Sequence, residues 1–89
     1  MTYELRKKLN EYYYNQIYKY YICCKFYDAE RNEEVSDNYF KEYLSRQQIF
    51  EDVVAMYEGY DEVKTHIFIQ QVEHYCKLRE RGEIDEPGN

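Results

Sequence analysis

At 89 residues the chain has room for one hydrophobic core, and a domain of this size buries only about 60–65% of the surface its unfolded form exposes. Hydrophobic residues at 44% against charged residues at 34% exclude a disordered chain, and no apolar run reaches the roughly 18–20 residues that span a bilayer. A net charge of −6 argues against direct duplex binding, which needs lysine and arginine to neutralise phosphates.

The first helix is expected over residues 3–27. Thr2 is its N-cap and Glu4 lies in its first turn. At 100° per residue, Leu5, Leu9, Tyr12, Tyr13, Ile17, Tyr20, Cys23, Cys24 and Tyr27 fall on one broad face. From Tyr18 to Phe26 the pattern also alternates as a strand would, but no second strand offers it a partner, so helix is the reading. Residues 28–36 form a charged connection, and Ser36 or Asp37 caps a second helix over 37–58. Its apolar face carries Tyr39, Phe40, Tyr43, Leu44, Phe50, Val53, Val54 and Tyr57, and Gly59 ends it. Asp61 caps a third helix over 62–81. Its polar residues are confined to a narrow stripe, which predicts a central helix covered on both sides. The expected architecture is an all-α, three-helix bundle-like domain over residues 1–82, with a flexible, disordered acidic tail at 83–89.

Composition adds a second layer. Thirteen residues are tyrosine and none is tryptophan, while Leu, Ile and Val together number 15, so tyrosine rings must supply much of the core. Tyr14, Tyr18 and Tyr21 lie outside the main apolar face of the first helix at i, i+4 and i+7, beside Lys7 and Lys25. They form an aromatic stripe with a charged rim, as protein interfaces often have. Charge is uneven too: residues 1–25 carry a net +3, residues 26–63 a net −8 and residues 64–89 a net −1.

Candidate chemistry is sparse. Ser36 and Ser45 are the only serines, and both have structural readings. His74 and Cys76 are two apart on a helix, which points them about 160° from each other. His66 and His74 are too far apart to chelate one ion as an i,i+4 pair would. Three cysteines, Cys23, Cys24 and Cys76, do not make a disulfide framework and point to a reducing compartment. A helix-turn-helix centred on Gly59 would offer DNA the carboxylates of Asp61 and Glu62, which repel it. The reading is therefore not an enzyme, with no catalytic, cofactor-binding or metal residues.

The functional expectation is a small acidic protein–protein interaction module that docks on a larger protein with a basic surface. The docking residues are expected to be Glu30, Glu33, Glu34, Asp37, Glu51, Asp52, Glu58, Asp61 and Glu62, with Tyr14, Tyr18 and Tyr21 as anchors. Its concrete form is a phage-type, anti-CRISPR-like inhibitor. Its carboxylates would stand in for phosphates and occlude the basic groove of a nucleic-acid-binding enzyme. The alternative is a structural module that homodimerises through its tyrosine-rich first helix. A weak single-strand binder using Lys7, Lys19, Lys25 and the tyrosines comes third. The N-terminus has no apolar signal region, so the expected location is cytoplasmic: the host cytoplasm for a phage-encoded chain.

Overall fold

A computed structural model describes residues 1–84, and among these the chain is all-α. Helix α1 runs Tyr3–Ala29, α2 Glu33–Glu58 and α3 Glu62–Glu80. The three-helix expectation holds, and α1 is continuous through the stretch that also alternated like a strand. Most of the tail expected at 83–89 lies outside the described residues. Within them, Ile84 packs against the core, so the packed chain extends past residue 82.

Each helix begins with a side-chain cap. Thr2 accepts from the Leu5 amide at 3.2 Å, Asn32 from Val35 at 3.3 Å, and Asp61 from Val63 and Lys64 at 2.9 and 3.2 Å. The second cap corrects the sequence reading. Ser36 and Asp37 lie inside α2, and the connection is only Glu30, Arg31 and Asn32. Ser36 is buried and turns its hydroxyl sideways, donating to the Cys24 carbonyl of α1 at 3.2 Å. It fastens two helices where a capping role was expected.

Helix α1 ends in a Schellman turn. The Asn32 amide reaches the Tyr27 carbonyl at 2.9 Å and the Arg31 amide reaches Asp28 at 3.1 Å. That geometry places Arg31 at φ 60°, in the left-handed region where a glycine is usual. The same motif ends α3, with Gly82 at φ 76° in the equivalent place. With no glycine or proline to mark it, the first turn reads in the sequence as more charged helix or loop.

Helices α1 and α2 form an antiparallel hairpin, and α3 lies across one side of it. Rising numbers in α1 meet falling numbers in α2. Arg6 pairs with Glu58, Tyr13 stacks on Phe50 and Tyr27 stacks on Tyr39. Helix α3 runs parallel to α1, since Tyr75, Arg79 and Glu80 meet Tyr14, Tyr18 and Tyr21 in order. The core is Ile17, Tyr43, Phe50, Phe68, Val72, Tyr75 and Cys76. Phe50 is its junction. It stacks on Tyr13 at 5.0 Å, meets Tyr14 and Phe68 edge-on at 5.4 and 4.8 Å, and has the Arg6 guanidinium at 5.6 Å.

The expectation of a central third helix is overturned. Helix α3 is covered on one side only, and Val63 and Ile67 face solvent at 68% and 47% exposure. The longer helices α1 and α2 bury most of their facing sides against each other, which leaves α3 the outer position.

Phe50→Ala removes a ring that touches all three helices and should cost about 3–5 kcal/mol, read as a lowered urea midpoint by circular dichroism. Arg31→Gly should be more stable than Arg31→Ala by about 0.5–1 kcal/mol in the same titration, because both lose the same charge and only glycine relieves the left-handed strain.

Candidate protein interface

The tyrosine stripe of α1 is the seat of α3. Tyr14 stacks on Tyr75 at 4.6 Å. The Arg79 guanidinium lies 4.3 Å from the Tyr18 ring centre and also donates to Asn15 at 2.7 Å and to the Tyr75 hydroxyl at 3.0 Å. Tyr21 donates its hydroxyl to Glu80 at 2.6 Å, and Lys25 completes the group, 3.7 Å from Glu80 and 5.4 Å from the Tyr21 ring. Tyr14, Tyr18 and Tyr21 thus pack against α3, and each is half-buried, with Tyr21 also lining a groove at the hairpin end. The reason is geometric: their flank of α1 is the side on which α3 lies.

Burial leaves a chemical mark on this seam. It raises the phenol pKa of Tyr14, Tyr21, Tyr43 and Tyr75, with the Glu80 carboxylate adding to the effect at Tyr21. The Cys76 thiol is pushed up to about 12, chiefly by burial.

The nine carboxylates expected at the interface do not converge. Helix α2 holds its two ends about 37 Å apart, at 1.5 Å per residue. At the far end most of them have local work. Glu58 pairs with Arg6 at 3.5 Å, Asp61 caps α3, and Glu62 sits in the first turn of α3, where the helix dipole favours it. Asp52 accepts from Gln48 at 2.9 Å. Glu51 lines a groove of about 220 Å³ shared with Arg6 and Lys64.

The hairpin end differs. Glu30, Glu33, Glu34 and Asp37 are exposed, together with Asp28, and none of the five joins an ion pair among the described residues. Residues 28–38 hold five carboxylates against Arg31 alone, a net of −4. Beside them is a groove of about 290 Å³, walled by Tyr21, Cys24, Phe40 and Tyr43 and rimmed by Lys25, Asp28, Glu73 and Lys77. Phe40 is about half exposed there, although its position on α2 reads as core in the sequence. The turn end therefore combines dense negative charge with accessible aromatic surface.

A second surface is legible only in the structure. Taking Phe50 as the direction of the seam, 100° per residue sends Gln47, Tyr43 and Phe40 round the α3 side of α2. Arg46, Val53, Glu42, Ile49 and Met56 go round the other. The matching flank of α1 carries Tyr13, Tyr20, Leu9, Tyr27, Leu5, Cys23 and Tyr12. No element covers this side of the hairpin among the described residues. Tyr12 and Met56 are exposed at 58% and 83%, and Tyr20, Tyr27 and Tyr39 are half-buried in a continuous aromatic run.

Among the described residues no group of three or more His, Cys, Asp or Glu side chains is placed to hold a metal ion, and His66 instead meets Gln70 at 3.2 Å. All three cysteines are free, and no described helix is long and apolar enough to cross a membrane. No protein-family model matches the chain, and neither the curated proteins nor the solved structures contain a match to it.

The raised thiol and phenol values set a pH dependence. These groups hold their protons more tightly folded than unfolded, where the ordinary values are 9.0 for the thiol and 10.0 for the phenols. Their stabilising effect is complete below about pH 9 and is lost as pH climbs past those ordinary values. Thermal melts should show a flat Tm from pH 7 to 8.5 and a falling Tm above it; Tyr43→Phe should lessen the fall.

Proposed function

We propose that this chain is a small non-catalytic interaction module whose acidic hairpin end docks on a basic surface of a larger protein. The observation that carries the reading is the pairing, at one end of the molecule, of five exposed carboxylates, none in an ion pair among the described residues, with the aromatic groove beside Phe40. Carboxylates on a rim steer a basic partner into contact, and partly exposed rings supply the short-range energy. The far-end acids contribute only to the long-range field, because a helix cap, an ion pair and a side-chain hydrogen bond already engage Asp61, Glu58 and Asp52.

The concrete form of the proposal is an inhibitor of the phage anti-CRISPR kind. The hairpin end enters the basic groove of a nucleic-acid-binding enzyme, and Glu30, Glu33, Glu34 and Asp37 take the places of phosphates. A blade two helices wide, about 20 Å across, suits a groove that accommodates duplex nucleic acid. Three free thiols favour a reducing, cytoplasmic setting, which for a phage-encoded chain is the host cytoplasm.

The test is affinity capture from a bacterial lysate at low and high salt. The parent chain should retain a nucleic-acid-binding protein at low salt and release it at high salt. Glu33→Lys with Glu34→Lys and Asp37→Lys should weaken retention at least tenfold, while Glu58→Gln with Glu62→Gln leaves it nearly unchanged. Equal retention by the hairpin-end variant overturns the proposal.

A further inference from the structure

The open side of the α1–α2 hairpin is unlike the acidic end. Tyr12, Ile49, Val53, Met56 and Tyr57 make its N-terminal half mainly apolar, and its middle carries Lys19, 5.7 Å from the Tyr20 ring centre, with one acid–base pair, Glu42 and Arg46. That pair is loose, with Arg46 Nη2 3.7 Å from Glu42 Oε2, and Arg46 Nε is buried with no acceptor. A partner with a strongly basic surface finds nothing here to match. We infer that this face is the contact between two copies of the chain, which pair their hairpins face to face as an antiparallel four-helix assembly.

Three physical points select a second copy. The first is size. Two helices of 27 and 26 residues make a face about 40 Å long and about 20 Å wide, on the order of 800 Å², which is what each partner gives to a stable protein interface. The second is self-complementarity. A two-fold axis brings each copy's Glu42–Arg46 turn to the middle of the other copy's face, so the guanidinium, which lies 5.7 Å from the Tyr20 ring centre and reaches its own Glu42 only at 3.7 Å, meets a second carboxylate. The third is electrostatic and sets the orientation. Each copy carries a net −4 over residues 28–38, and a parallel pair would place two such turns side by side. The antiparallel pair separates them by about 40 Å, several Debye lengths at physiological salt, where each is about 8 Å. Both acidic ends then remain free, so the assembly is bivalent toward a basic partner.

Sedimentation equilibrium of the full chain from 5 to 500 µM tests this. A dimer is expected whose association holds or tightens as salt rises, because the copies repel through their net charge. That sign is opposite to the one for docking on a basic partner, so the two proposals fail separately. Tyr12→Glu with Ile49→Glu alters side chains 58% and 37% exposed in the single copy, so the fold should persist by circular dichroism. The dimer Kd should rise by roughly 100-fold, from four buried carboxylates in the pair. Glu42→Arg should weaken the dimer, and Arg46→Glu in the same chain should restore it in part. A monomer at 500 µM overturns the inference, as does a dimer that Tyr12→Glu with Ile49→Glu leaves intact.

Discussion

The Phe50 ring is the constraint on which the rest of this structure depends. It is fully buried at the level where all three helices meet, stacked on Tyr13, edge-on to Tyr14 and Phe68, with the Arg6 guanidinium near its face. Tyr13 and Tyr14 are neighbours on α1, yet they engage the ring on different sides. Through one ring the hairpin is closed and the side that receives α3 is selected. A core with so few aliphatic side chains depends on such ring geometry, because edge-to-face and offset pairs add to simple burial.

Tyrosine explains how one short chain makes two kinds of surface from the same residue. On the α3 side, Tyr14, Tyr18 and Tyr21 are half-buried against α3, and hydroxyl or cation partners are at hand in Glu80 and Arg79. On the open side, Tyr20, Tyr27 and Tyr39 bury one ring face in the hairpin seam and leave an edge exposed. A phenol is at home in both settings, since its body is apolar and its tip is wet.

The carboxylates follow a similar division. Those at the start of α3 and the end of α2 serve helix ends or neighbouring bases, so their charge is largely explained by folding. Glu33 and Glu34 also sit in a favourable first turn, but Glu30 and Asp37 gain nothing comparable, and the group as a whole concentrates repulsion around Arg31. The left-handed strain at Arg31 and the mutual repulsion of the five carboxylates are local costs that the single Arg31 charge offsets only in part, and the hairpin end is where the case for function is strongest.

The sequence alone determined the class of the protein. Periodicity, capping residues and the want of a partner strand establish three helices, with boundaries right to a residue or two for α3 and the N-terminus of α1. The acidic character of residues 26–63 and the aromatic nature of the core are equally local facts. Tertiary structure decided the rest. Helical spacing shows that Tyr14, Tyr18 and Tyr21 share a stripe, but only packing shows that α3 occupies it and that the flank of Tyr12 and Ile49 is free. Asn32 caps α2 at a position the sequence reading passed over, while Ser36 imitated a cap because a serine hydroxyl can bond either its own turn or a neighbouring helix. The acidic residues are close in sequence number and far apart in space, because a straight helix converts 25 residues of chain into about 37 Å of separation.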